Sequence, residues 1–594
     1  MDQDVRKSTR SSHNKNRPSQ QQVAALDDLA EYNLIDETYT LLSTGILHNP
    51  LISPSLPTNA SAYASRIRFT GHTSPAIPVP WRFAESIATL KALEAVMIGN
   101  LLTQKYSLPP QKVEINIDHA QLFIMSGWLT SIIIDDIPVK ATSRNVEVTK
   151  IFPTYDMYGA LASPYRMCIT NIYLTKDSSY FQLHGSMNPD IILQTLSMPS
   201  EAEGDFSESS SLYQDKISKY TAAELDSLVS GRIKQAGTIC HTISQYKSSP
   251  QGLANAHTGL WQTHHHPSSS QPPNWWQSPS SPQSSPIRPL AGLRVVDLSR
   301  VIAAPAITRG LAELGASVMR ISSVNHPDLG FLHPDLGWGK WNCALDFRNA
   351  NDLDMAKDLI READVVVSGY RPGVLDKFGL GQEGILELVK GRDRGIIFAR
   401  ENCYGWNGPW ALRSGWQQIS DACVGISYEF GHAMGNEEPV TPIFPNSDYC
   451  TGVVGVCGIL DALVQRGKYG GSYTIDIALA YYNQWLVGSV GMYPQDVWQK
   501  VWKRSGGEVL RHDSQMGQMI PLYIEKLEKS APYLFDDEFF EVREAKAVGA
   551  QIKTVKPILS WTDGLVQPGF QVGVRRNGMD KAKWPEDLMI ELVN

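Results

Sequence analysis

Asp448 stands in the segment Pro445-Asn446-Ser447-Asp448-Tyr449-Cys450-Thr451-Gly452, just ahead of an apolar run over 453–464 with helical character. A carboxylate at a helix start has two roles open to it. It can cap the helix, accepting backbone N–H bonds and complementing the dipole. Held beside a bound acyl group, it can instead attack a carbonyl as a nucleophile. Cys450 lies two residues on, but no histidine is near it in sequence, so it reads as a buried structural thiol. His264-His265-His266 offers three imidazoles. Adjacent side chains cannot converge on one metal from a regular element, so this is read as a solvated tract and no metal site is expected.

The elements that must position Asp448 become regular from residue 293. The run 293–298 is apolar and β-branched, a buried strand. Pro305 suits the first turn of a helix over 307–314, and Gly315 ends it. Further strands are predicted at 317–321, 364–367, 395–399 and 473–477, with an amphipathic helix over 352–362. Strands alternating with helices at this spacing imply right-handed crossovers and a doubly wound, parallel-sheet α/β (Rossmann-like) fold. Ligands then belong at the carboxyl ends of the strands. No G-x-G-x-x-G follows the first strand, which disfavours a dinucleotide. Residues 80–124 echo 442–486 as turn, long apolar helix, strand and short helix, so partial duplication is expected.

At 594 residues the chain needs two to four domains. Its net charge of −8 and pI of about 6.0 point away from nucleic acid and anionic membranes, so an anionic ligand needs local basic groups. The seven cysteines are scattered without a C-x-x-C pair, which suits a reducing compartment. No apolar stretch reads as long enough to span a bilayer, 453–464 being short and interrupted by Asp461. Without a secretory apolar segment near the start or a peroxisomal tripeptide at the end, the cytosol is the default, with mitochondrion and peroxisome as alternatives.

Several segments, in order, resemble the family III CoA-transferases (CaiB/BaiF), the superfamily that includes α-methylacyl-CoA racemases and carnitine-type CoA-transferases. They are Leu290-Ala291-Gly292-Leu293-Arg294-Val295-Val296-Asp297-Leu298-Ser299-Arg300-Val301-Ile302-Ala303-Ala304-Pro305, Leu314-Gly315-Ala316-Ser317-Val318, and Tyr370-Arg371-Pro372-Gly373-Val374-Leu375. Gly405-Trp406-Asn407-Gly408-Pro409-Trp410 and the Asp448/Gly452 motif complete the set. The resemblance implies a CoA-transferase of the long two-part type. Asp448 would be its nucleophile, passing through an aspartyl anhydride and an enzyme-bound CoA thioester. Val301 and Ile302 would line the adenine and thioester approach, Tyr370 and Arg371 the pantetheine–phosphate wall, and Lys377 a phosphate contact. CoA and acyl-CoA would be substrates, with no permanently bound cofactor, and the partners an acyl-CoA and a small carboxylic acid. Family members form interlocked dimers, so a homodimer or an internal pseudo-dimer is expected.

The chain departs from the family pattern at Ser323, Gly369 and Trp341, and Arg320 or Lys340 are candidates to rebuild the nucleotide grip. A racemase is the first alternative, but the family's basic histidine falls at Trp416, and an indole has no useful basicity. His432, nearby, reads as a surface-loop residue. A catalytically inactive scaffold is the second alternative, opposed by the retention of Asp448. Gly425, Gly431 and Gly435 suggest a mobile flap over 424–444. The expected division is a mostly disordered tail (1–40), a diverged N-terminal family half (41–262) and a Ser/Pro/Gln-rich linker (263–290) on which Trp275 and Trp276 dock. The transferase domain (291–490) and a C-terminal extension closing a smaller α+β domain (491–594) complete it.

Overall fold

The β-branched runs form the middle of a seven-stranded sheet in the computed structural model, which describes residues 32–268, 270–277 and 286–593. Across the sheet the strands are Lys340–Ala344, Ser317–Ser322, Arg294–Leu298, Val365–Ser368, Ile397–Asn402, Ser472–Ala478 and Trp261–His266. The first six are parallel and the last is antiparallel. In chain order the parallel strands lie 3-2-1-4-5-6, a doubly wound arrangement that reverses beside Arg294–Leu298. All residues of Ser317–Ser322, Val365–Ser368 and Ser472–Ala478 are buried, which is why these runs do not alternate.

Two 24-residue helices, Phe83–Tyr106 and Asn446–Tyr469, pack against each other, and the second also packs on Ala303–Glu313. A helix that is apolar on every side belongs in a core. By length and composition either helix could cross a membrane, contrary to the expectation that no stretch is long enough. Here 89% and 94% of their apolar windows are buried inside the protein. Gly452 allows the close approach on one side, because a Cβ there would lie 2.5 Å from the Ala306 Cβ.

The echo between 80–124 and 442–486 is present in the order of their elements. Each long helix leads to a strand and then a seven-residue helix, Val113–Asn116 with Ile117–Phe123 and Ser472–Ala478 with Leu479–Trp485. The N-terminal copy stops there. Among the described residues Val113–Asn116 pairs with Ile67–Thr70 and Ser560–Trp561 alone, and no second doubly wound sheet forms in 41–262. That region builds instead an antiparallel sheet of Asn171–Leu174, Tyr180–His184 and Ala236–Ile239. The C-terminal strands Phe540–Ala545 and Ala550–Val555 join Ser131–Ile134 and Ile137–Lys140, so 491–594 is woven into the N-terminal part.

Other expectations are corrected. His264 and His265 are exposed, as expected of a solvated tract, but with His266 they belong to the edge strand Trp261–His266 rather than to the linker. His264 Nε2 lies 2.9 Å from Asp476 Oδ2 and His266 Nε2 lies 2.9 Å from Thr474 Oγ1, so partners on the neighbouring strand hold them. The linker is therefore shorter than 263–290, and its residues 278–285 lie outside the described residues. The two tryptophans do dock: Trp276 is buried and donates from Nε1 to Ala291 O at 3.0 Å, and Trp275 packs on Gly467. Of the expected tail, 1–31 lies outside the described residues, whereas Leu34–Leu41 is a helix capped by Asn33. The strand Lys340–Ala344 was not foreseen, because Lys340 and Asn342 interrupt its apolar pattern.

Candidate active site

A cleft of about 630 Å3 runs over the carboxyl ends of the parallel strands. Its walls are the loops that follow them, and Ser186, Met187, Asn188 and Gln235 from the N-terminal part close it from above. Asp448 and all five residues assigned to CoA by resemblance, Val301, Ile302, Tyr370, Arg371 and Lys377, line this one cavity. Val301 has φ 73°, a left-handed conformation that is costly for a β-branched residue, so backbone strain is concentrated at the cleft wall. Arg300 lies over the Tyr370 ring at 5.4 Å, and Arg371 donates from Nη1 to Lys234 O at 2.6 Å.

The departures from the family pattern divide. Ser323 and Gly369 line the cleft. Only glycine fits at 369, because a Cβ would lie 2.6 Å from Ala304 Cβ and 3.2 Å from Ser299 Cβ. Trp341 is buried under the Arg575 guanidinium, 4.8 Å from its ring. Arg320 and Lys340 do not line this cleft, correcting their candidacy for the nucleotide. Arg320 is bound to Asp328 and, at 3.0 Å, to Asn577, while Lys340 Nζ reaches Asp297 Oδ2 at 3.1 Å and Pro305 O at 2.9 Å. Both cations neutralise buried aspartates.

Asp448 is the third residue of Asn446–Tyr469, which begins two residues before it, and its side chain makes no capping bond. Its neighbours on that first turn are all engaged. Asn446 donates from Nδ2 to Tyr482 Oη at 2.5 Å, and Ser447 from Oγ to Asp421 Oδ1 at 3.2 Å. Tyr449 Oη donates to Asp335 Oδ2 at 3.0 Å and accepts from Gly127 N at 3.1 Å. These bonds fix the turn and leave Asp448, without a hydrogen-bond or ion-pair partner among the described residues, facing the cleft. Cys450 is fully buried with its thiol pushed up to about 12 by desolvation, as befits a structural cysteine.

Sequence reasoning missed Glu401 and Asp421. Glu401 is the penultimate residue of the strand Ile397–Asn402 and lines the cleft with Asp448. Burial raises it to about 8. Asp421, on Gln417–Val424, is raised to about 7 by burial, against bonds from Asn483, Gln417 and Ser447 that pull the other way. Asp448 is held well above the usual carboxylate range, first by burial and then by the negative charges of Glu401 and Asp421. The only sequence signal for Glu401 was its place in the charged pair Arg400-Glu401 that follows the apolar run 396–399.

Trp416 lines the cleft and donates from Nε1 to Ser186 Oγ at 3.1 Å. His184 stacks on that indole, ring centroids 5.1 Å apart, and burial lowers it to about 3, so it is neutral. His432 is exposed near the end of Ile426–Ala433. The segment proposed as a flap is largely packed: Gly431 lies so close to Glu438 O that a Cβ would sit 1.8 Å from it.

The sequence profile described as CoA-transferase family III matches residues 290–514. A protein of Hypoxylon pulicicidum named acetyl-coenzyme A transferase nodX is 48% identical over 554 residues, 92% of this chain and 93% of that protein. The chain belongs to the family III CoA-transferases. A protein of Gibberella moniliformis named acyl-CoA transferase is 29% identical, covering 85% of this transferase and 88% of its own length. A solved CAIB/BAIF family protein from Brucella suis is 27% identical with a TM-score of 0.29, the match covering 34% of this chain and 55% of that one. The transferase is thus an enzyme with CoA as a substrate, and its alignment with the first of these relatives is nearly end to end.

Proposed function

We propose that this transferase moves CoA from an acyl-CoA donor to a carboxylic acid by covalent catalysis on Asp448. The observation that carries the reading is the unpartnered Asp448 carboxyl, facing the cleft from a fixed helical turn. In its ionised form it attacks the donor thioester carbonyl. The C–S bond breaks, leaving an aspartyl–acyl anhydride and CoA thiolate. The thiolate then attacks the aspartyl carbonyl, expelling the donor acid as carboxylate and forming an aspartyl-CoA thioester. The acceptor carboxylate attacks that thioester, thiolate leaves again, and its attack on the acceptor's carbonyl in the second anhydride yields the new acyl-CoA and frees Asp448. Each carboxylate consumed is matched by one released, so no net proton is required.

The cleft suits such a ligand along its length. Arg300, Arg348, Arg371 and Lys377 come from loops after the first, third and fourth parallel strands in chain order, whereas Glu401 and Asp448 lie beyond. From Lys340–Ala344 to Ile397–Asn402 is four strand spacings, ~19 Å. That distance accommodates an extended molecule with phosphates at one end and a thioester at the other. At the reactive end the helix N-terminus offers N–H groups without intrahelical acceptors, which stabilise an anionic tetrahedral species. A racemase reading lacks its second base, because Trp416 stands where that base is needed. Trapping tests the proposal. With an acyl-CoA and hydroxylamine, mass spectrometry of the Asp448 peptide should find the hydroxamate, and its absence while CoA still binds would overturn the nucleophile assignment.

A further inference from the structure

The cleft is electrically divided. Over the first four parallel strands it is lined by Arg300, Arg348, Arg371 and Lys377, and over the fifth by Glu401. Asp448 enters at that second end from the helix packed on the fifth and sixth strands. The cation bordering this end, Arg413, is already neutralised: its Nη1 and Nη2 donate to the two oxygens of Asp226 at 2.8 and 3.0 Å, and its guanidinium lies over Trp410. Glu401, like Asp448, has no hydrogen-bond or ion-pair partner among the described residues. Its Oε2 would stand 3.8 Å from a Cβ at Gly369, which places the carboxyl at the cleft floor.

Resting on the transferase reading above, we propose that Glu401 is a specificity-determining residue that restricts this enzyme to monocarboxylic acids, by confronting the tail of the acyl group with an unpaired carboxyl. The acceptor must bring one carboxylate to Asp448, so its remaining atoms fill the space Glu401 borders. An apolar or neutral tail there meets Leu479, Ile302 and the Trp416 ring. A second carboxylate meets Glu401 and Asp448, and Arg413 is already committed to Asp226, so like charges in a desolvated site oppose binding. Burial alone raises Glu401 to about 8, so the repulsion acts from about that pH upward, where the carboxyl carries its charge. A dicarboxylate site would instead carry an arginine fork or a lysine aimed at the tail.

The test compares straight-chain monocarboxylic and dicarboxylic acids of equal length as acceptors, with acetyl-CoA as donor and the full chain as enzyme. At pH 8.5 wild type should favour the monocarboxylate in kcat/KM by at least tenfold. Glu401→Gln, which keeps shape and removes the charge, should shrink that ratio at least threefold at pH 8.5, where the wild-type carboxyl is largely ionised. Glu401→Arg should shrink it further. Transfer that prefers dicarboxylates in wild type, or a ratio unmoved by both substitutions, overturns the inference and leaves the transferase reading standing. Absence of transfer to every acid, with CoA still bound, overturns both.

Discussion

Two buried helices of equal length carry a carboxylate at the same third position, and the two carboxylates lead opposite lives. Glu85 on Phe83–Tyr106 accepts from Arg82 Nε at 3.1 Å, from Tyr493 Oη at 3.0 Å and from the Tyr32 hydroxyl. Asp448 on Asn446–Tyr469 has none of this and sits among other carboxyls. One position is fully compensated and closed, and the other is uncompensated and open to a 630 Å3 cleft. A helix start positions a carboxylate, but its surroundings decide whether that carboxylate is a strut or a reagent. The two helices share an order of elements, yet Glu85 is held in a buried ion pair.

The largest expected effect breaks this comparison outright. Asp448→Asn, isosteric and uncharged, should reduce CoA transfer below about 3% of wild type, because the amide cannot form the anhydride. Glu85→Ala should leave the specific activity of the folded fraction within about twofold, since Glu85 lies outside the cleft. A steady-state assay on both variants decides it. If the two lose activity equally, the functional asymmetry between the helices is gone.

Stability should reverse the order. Glu85→Ala strands Arg82 Nε and two phenol hydroxyls around a buried position, a loss of about 3 kcal/mol in denaturant unfolding. Arg82 keeps its contact with Glu37 at 2.7 Å, which limits the cost.

A third prediction concerns the charges around Asp448. Only its ionised form attacks, and burial first, then Glu401 and Asp421, raise its pKa, so kcat/KM should climb with pH through a limb above the ordinary carboxylate range. Removing a negative neighbour lowers that pKa. Glu401→Gln should therefore move the acid limb to lower pH, by about one unit. A limb that stays in place, or moves up, separates Glu401 from Asp448.

The same contrast explains what patterning could reveal. The central strands 294–298, 317–322 and 365–368 were legible because burial on both faces makes them continuously apolar. Lys340–Ala344 was not, because its Lys340 answers Asp297 on another strand, a pairing without a local signature. The strand pairing of the exposed histidines in Trp261–His266 was hidden for a similar reason, their partners being some 200 residues away. Asp448 was found through an ordered set of motifs. Glu401 was invisible because its importance comes from what is missing around it, and a missing partner leaves no trace in sequence.

The smallest effect is a stability gain at the reactive position. A carboxyl whose pKa is raised on folding holds its proton more tightly in the folded state. Its contribution is full below the unfolded value, about 3.9 for Asp, and is lost as pH rises through the folded one. Asp448 is shifted in that direction by burial and by two like charges. Asp448→Asn removes this liability, so the apparent melting temperature of the variant minus that of wild type should grow from pH 5 to pH 8, reaching about 1–2 °C. Glu85→Ala should melt below wild type at both pH values, because there the carboxylate is the partner its neighbours require. Melting curves of the three proteins at the two pH values measure it. A variant at 448 that melts lower than wild type at pH 8 would mean that its carboxylate is compensated after all, and the two helix starts would then be alike.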